Sequence, residues 1–233
     1  MDELWVVNLG TVEYREAYAI QERMRDARQA GEVPDVLLLL EHPPVYTRGR
    51  RTGPGELPMG EEWYRAQGID IVDADRGGKV TYHGPGQLVG YPIMRASDVP
   101  EFVHTMEGAL IASLGDEGVE ARTRPDEGAA YTGVWAGEGK IASIGIHVAR
   151  GVTTHGFAVN VQNDLQPFEW VVPCGLQGVR MTSLLRETGR TGELLPCFRK
   201  RVAWRFAQAH GLRQRLVSPQ RSGALPAPVP SAV

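Results

Sequence analysis

Cys174 stands in the segment Val171-Val172-Pro173-Cys174-Gly175-Leu176. The proline fixes the approach of the chain, and the glycine removes side-chain bulk beside the sulfur. A cysteine so placed is a candidate nucleophile. The reactive form is the thiolate, so a cation or a base must stand close by to draw the proton off. The sequence offers Lys140, His83, His147 and His155 for that task, and local spacing does not choose among them. Lys140 opens a strand-like run in which Ile144, Ile146 and Val148 alternate with Gly145, His147 and Ala149. A lysine there is ordinarily a solvated edge residue that discourages strand pairing. A Cys–His pair through His83 or His155 stays equally open. The other cysteine, Cys197, falls within an amphipathic helical pattern at the border of its apolar stripe. There a small, inert hydrophobe satisfies the pattern.

A second chemically suggestive stretch runs Arg76-Gly77-Gly78-Lys79-Val80-Thr81-Tyr82-His83-Gly84-Pro85-Gly86-Gln87-Leu88. Four glycines let a backbone approach a ligand closely and turn its N–H groups toward a carbonyl oxygen or an anion, with Arg76 or Lys79 adding charge. The plainer reading is a hairpin whose turn, His83-Gly84-Pro85-Gly86, merely needs these residues. The spacing matches neither a phosphate-binding P-loop nor a dinucleotide fingerprint, so it implies no nucleotide. The His155-Gly156-Phe157-Ala158-Val159-Asn160 run is another strand entry, with a glycine where side-chain bulk would obstruct a ligand.

These segments need a scaffold, and the hydrophobic periodicity supplies one. An apolar run at 4–8, a helical pattern over 12–30 and the continuous apolar run Val36-Leu37-Leu38-Leu39-Leu40 predict strand, helix, and a strand buried on both faces. Further strands are expected near 69–73, 78–82, 87–93, 130–135, 139–149 and 155–161. Helices are expected near 61–67, 98–115, 182–188 and 192–209. Strands outnumber helices and several are consecutive, which predicts one mixed α/β or α+β domain over 1–210. Residues 211–233 lose the apolar pattern and gain Pro219, Pro226, Pro228 and Pro230, which reads as a disordered tail.

The bulk composition excludes several classes. The chain has 233 residues, 42% of them hydrophobic, with a formal net charge of −3. That balance argues against a nucleic-acid partner, and the absence of a long apolar run argues against a membrane span. Two cysteines in such a chain are not a disulfide scaffold, and the opening Met1-Asp2-Glu3-Leu4-Trp5 is unlike a secretory signal. A reducing cytoplasm is the expected location. The six histidines and two cysteines show no close zinc-type spacing.

Taken in order, Leu40-Glu41-His42-Pro43-Pro44-Val45-Tyr46-Thr47, the block from Arg76 to Tyr91, Lys140 to Gly145, His155 to Asn160, and Pro173-Cys174-Gly175 resemble the lipoyl(octanoyl) transferase family. The likeness covers roughly residues 4–209. It implies a fold similar to the catalytic domain of lipoate and biotin protein ligases, with a mixed sheet flanked by helices. It implies that Cys174 accepts the acyl group and that Lys140 lowers the pKa of its thiol. It also implies an acyl-substrate site formed by Arg76, Gly77, Gly78, Lys79, Val80, Thr81, Tyr82 and His83, with Ser143, Ile144, Gly145, Gly156, Phe157 and Ala158. The implied reaction moves octanoyl from acyl carrier protein to a lysine of an apo lipoyl domain, or of the glycine-cleavage H protein. No ATP and no metal take part, and a monomer is the default. The Gly77-Gly78 N–H groups are candidates for the oxyanion, and Arg48, Arg50 and Arg51 for the carrier-protein surface. The competing expectations are an ATP-dependent lipoate or biotin ligase, a cysteine hydrolase, and a non-catalytic acyl-binding module.

Overall fold

The structure is a computed structural model that describes residues 2–171 and 179–225. The chain opens with β1 (Glu3–Thr11), α1 (Tyr14–Ala30) and β2 (Asp35–Glu41). The two strands are parallel neighbours, so α1 is the crossover that such a pair requires. Helix α1 stops at Gly31, whose φ of +78° suits glycine. The expected double burial of β2 is realised: Leu37 and Leu39 enter one apolar cluster, while Val36, Leu38 and Leu40 enter another on the opposite face.

The chain then leaves the main sheet. β3 (Val45–Arg48), α2 (Glu61–Ala66), β4 (Asp70–Asp73) and β5 (Thr81–His83) build a small three-stranded sheet in the order β4-β3-β5. It returns with β6 (Gln87–Ile93), α3 (Val99–Gly115), β7 (Ala121–Arg122), β8 (Gly133–Ala136), β9 (Gly139–Ala149) and β10 (Val152–Asn160). Helix α3 is capped by Asp98, which accepts from the Glu101 N–H at 3.0 Å. The remaining elements are α4 (Gln166–Glu169), β11 (Arg180–Met181), α5 (Leu184–Thr188), α6 (Leu195–Ala209), β12 (Arg213–Leu216) and α7 (Pro219–Ser222).

The main sheet runs β12-β1-β2-β6-β10-β9-β8-β7, with β11 paired to β9. Its centre is antiparallel, from β2–β6 through β10–β9. Helices α3 and α6 cover one face with Phe102, Met106, Leu110, Phe198, Val202 and Phe206. On the other face, α1 packs Ala17, Ile20 and Met24. A third cluster, with Tyr46, Tyr64, Ile71, Val80, Tyr82 and Phe168, belongs to the small sheet.

Two expectations change here. The turn His83-Gly84-Pro85-Gly86 is not a hairpin: β5 pairs with β3 in the small sheet and β6 with β2 and β10 in the main one. The turn carries the chain between sheets. Gly86 has φ +85°, and a Cβ there would lie 2.9 Å from the Asn163 nitrogen. Residues 211–225, expected as part of a disordered tail, are also ordered. β12 pairs in parallel with β1, and Val217 and Ala224 are buried in the second cluster. The strand is held by backbone bonds while its Leu216 is 75% exposed, so no apolar alternation marks it. Pro219 stands in the first turn of α7, which its fixed φ favours. Residues 226–233 lie outside the described residues.

Candidate active site

A cavity of about 280 Å³ opens where the chain from Arg76 to His83 lies against β9 and β10. Of the fourteen residues expected to bind substrate, Arg76, Gly77, Gly78, Lys79, Thr81, His83, Ser143, Ile144, Gly145, Gly156, Phe157 and Ala158 line it, and so does Lys140. Val80 and Tyr82 do not. Side chains alternate along an extended chain, so Thr81 and His83 face the cavity while Val80 and Tyr82 pack into the third apolar cluster.

The glycines of this region serve close backbone contact. The Gly77 N–H donates to the Ile146 carbonyl at 3.1 Å, which docks the loop onto β9. A Cβ on Gly145 would lie 2.8 Å from the Gly77 oxygen. The Gly77 N–H is therefore already engaged, and of the two expected oxyanion donors Gly78 is the one that remains a candidate. Gly156 has a second reason besides its sequence reading. A Cβ there would meet the Gly90 oxygen at 2.2 Å and Pro92 Cδ at 2.5 Å, so the close approach of the neighbouring strand β6 also demands a glycine here. Arg76, 8% exposed, donates to Thr47 through Nε and Nη2 and to the Gly77 oxygen through Nη1. Lys79 lies 3.1 Å from Glu56, whose carboxylate also accepts from the Gly53 and Val80 N–H groups.

Lys140 is not a solvated edge residue: it is 2% exposed. β8 on one side and β11 on the other cover the strand end that the sequence left open. Its Nζ stands 5.5 Å from the centroid of the Trp135 ring, within cation–π range. Glu107 of α3 reaches the same corner. Its Oε1 accepts from the Gly133 N–H at 2.9 Å, and a Cβ on Gly133 would lie 2.9 Å from Lys140 Cε. Burial raises the Glu107 carboxyl above its usual range, while the Gly133 bond, His104 and Lys140 oppose that rise.

Beneath the cavity His83 and His155, both candidates from the sequence, join Tyr14, His42 and Tyr91, which sequence reasoning did not single out as site residues. The rings of Tyr14, His42, His83, Tyr91 and His155 form a connected group, with centroid separations of 5.2 Å for Tyr14–His42, 5.5 Å for His42–His83 and 6.3 Å for Tyr91–His155. Tyr14, His83, Tyr91 and His155 line the cavity. His42 Nδ1 is 2.7 Å from the Val12 carbonyl, and its Nε2 is 2.7 Å from the Tyr91 hydroxyl. Burial pushes this imidazole down to about 4. His83 Nδ1 lies 2.8 Å from Gln87 Oε1, and its pKa is held well below the usual histidine range by burial, with His42 also opposing the charge. His155 Nε2 lies 2.6 Å from Asp75 and its Nδ1 3.4 Å from the Tyr14 hydroxyl. His155 has φ +56°, a left-handed backbone rare outside glycine, and it is fixed by its N–H donating to Gln21 at 2.7 Å. The His155 contact pulls the Asp75 carboxyl down to about 2. Tyr14 lies in the ordinary amphipathic pattern of α1, where no local motif marks it, and Tyr91 closes the Arg76–Tyr91 block without its type alone announcing a site role.

Other candidates fall out of the site. His147 faces Asp75 at 3.2 Å. Arg48 is committed to Asp73 and Glu61, which leaves Arg50 and Arg51 as exposed arginines, Arg51 at the cavity. Cys197 is exposed on α6, not packed as a small hydrophobe. Cys174 lies outside the described residues. Among the described residues, no group of three His, Cys, Asp or Glu side chains could hold a metal ion, and no helix is long and apolar enough to cross a membrane.

Comparison with known proteins agrees with this architecture. Residues 13–200 match the model of the lipoyl protein ligase A/B catalytic domain. The octanoyltransferase of Mycobacterium ulcerans (strain Agy99) is 51% identical over 198 residues, covering 80% of each chain. Among solved structures, lipoate-protein ligase A bound with ATP superposes with a TM-score of 0.78 at 20% identity, over 96% of this chain and 92% of that one. The biotin protein ligase from Aquifex aeolicus gives a TM-score of 0.51 at 12% identity, over 90% and 69%. At such identities the structural likeness speaks to the fold alone. With the family model spanning the whole cavity and the sheet from β2 to β11, and a relative half identical over four-fifths of the chain, this protein belongs to the lipoyl protein ligase A/B catalytic-domain family and, within it, to the octanoyltransferases, which are acyltransferases.

Proposed function

We propose that the enzyme transfers octanoyl from acyl carrier protein to a lysine of an apo lipoyl domain or glycine-cleavage H protein, through a thioester on Cys174 and without ATP or metal. The supporting observation is the position of Lys140. It is 2% exposed and lines the cavity. The chain just beyond Cys174 also returns beside it, with Arg180 pairing to Gly139 and Met181 to Lys140. Arg180 follows Cys174 by six positions, a reach of at most roughly 20 Å.

In this reading the Lys140 ammonium stabilises the Cys174 thiolate. The thiolate attacks the octanoyl thioester, the carrier sulfur leaves with the electron pair, and Lys140 gives it a proton. The acceptor amine then attacks the Cys174 thioester. A C–N bond forms, the C–S bond breaks toward Cys174, and the proton shed by nitrogen returns to Lys140. Thioester exchange is close to neutral in free energy, and amide formation drives the second step. The Gly78 N–H is the candidate donor to the tetrahedral oxyanion, a contact worth about 3 kcal/mol at the transition state. Arg51 and Arg50, exposed at the cavity rim and beside it, offer the charge that an acidic carrier protein would meet.

Incubating the protein with octanoyl-carrier protein and measuring intact mass tests the reading. An octanoyl adduct that is lost in Cys174→Ser supports it. An adduct retained in that variant, or turnover that requires ATP and octanoic acid, refutes it.

A further inference from the structure

The hydrogen-bond polarity of the cavity floor can be assigned atom by atom. A carbonyl oxygen only accepts, so His42 Nδ1, against the Val12 oxygen, carries the proton. His42 Nε2 is then bare and takes the Tyr91 hydroxyl proton. Gln87 uses its Nε2 to donate to the Tyr82 oxygen and to Asn160 Oδ1, so its Oε1 accepts from His83 Nδ1. That leaves His83 Nε2 bare. In the same way His155 Nε2 donates to Asp75, and its Nδ1 receives the Tyr14 hydroxyl. Tyr91 and His83 therefore present a phenolic oxygen and an imidazole nitrogen whose protons are both turned away into the protein. Both rings flank His42, at 5.9 and 5.5 Å between centroids.

A pair of acceptors with no proton to give is ill suited to a carboxylate, a phosphate or a thioester carbonyl, which offer only lone pairs. It suits a group with two N–H bonds. We propose that Tyr91 Oη and His83 Nε2 form the recognition site for the primary amine of the acceptor lysine, holding its two N–H bonds so that the nitrogen lone pair faces the acyl carbonyl. This inference rests on the acyl-enzyme reading above. The Arg76 guanidinium lines the same cavity, and like charge disfavours a protonated lysine there, while Lys140, having given its proton to the carrier sulfur, is free to take the amine's. The cavity thus selects the neutral, nucleophilic amine, and the acceptor pair orients it.

The test compares two nucleophiles on the octanoyl-enzyme: a lipoyl-domain lysine and a small thiol, which has no N–H. Tyr91→Phe keeps the ring and removes the oxygen; His83→Asn removes the ring nitrogen and is read in parallel. Each variant is expected to lower the rate of amine transfer relative to thiol transfer about tenfold, the worth of one hydrogen bond. A ratio unchanged from wild type in both variants overturns the inference while leaving the acyl-enzyme intact. A wild-type protein that gains no octanoyl group on Cys174 overturns the underlying reading, and this one with it.

Discussion

Lowering the pH from 7.5 to 5 should cost this protein about 2 kcal/mol of stability through His42 alone. Burial holds the His42 imidazole at about 4 against an ordinary 6.5. Between those values the unfolded chain binds a proton that the folded chain refuses, so stability falls as pH falls. The whole interval is worth about 3 kcal/mol at 1.36 kcal/mol per pH unit, and roughly two-thirds of it is spent by pH 5. His83, His155 and His210 are depressed too, each chiefly by burial, and they add in the same direction. Asp75, held at about 2, contributes stability that is lost only at more acid pH, below the ordinary carboxylate value. Urea unfolding at pH 7.5, 6 and 5 measures the effect, and His42→Gln isolates it. A pH-independent midpoint in wild type, or an unchanged pH slope in His42→Gln, would show that these imidazoles are not buried and neutral as argued.

Three further outcomes are expected. Gly156→Ala should destabilise by about 2–3 kcal/mol, read by thermal or urea unfolding, because its Cβ would press on the Gly90 carbonyl, a backbone atom that cannot step aside. Gly77→Ala should be tolerated in fold and turnover, since its Cβ would meet only the Ile146 oxygen at 3.5 Å, whereas Gly78→Ala, at φ +86°, should lose about 1–2 kcal/mol of stability as well as activity. Truncation after His210 removes β12 and α7, leaves one edge of β1 unpaired and uncovers the second apolar cluster. That truncation should lower the melting temperature by several degrees in a thermal scan, where a disordered tail would leave it unmoved.

What the sequence determined by itself was everything written in short-range pattern. The continuous apolar run places β2, buried on both faces, and the period-two and period-3.6 alternations place β9, α1, α3 and α6, because burying one face of such an element imposes its spacing on the chain. The ordered motifs from Arg76, Lys140 and His155 name most of the cavity wall, since each demands particular residue types at adjacent positions. The fold decided what depends on distant partners. Lys140 looks like an edge lysine until β8 and β11 cover it. The glycine turn looks like a hairpin until its strands join different sheets. β12 carries no apolar signal because backbone bonds and the Arg213 and Arg215 ion pairs to Glu3, not apolar packing of its own side chains, hold it to β1. The ring cluster joins Tyr14, His42, His83, Tyr91 and His155 across 141 residues of sequence. Hydrogen-bond direction and burial exist only once those residues are neighbours, and the chemistry of the cavity floor depends on both.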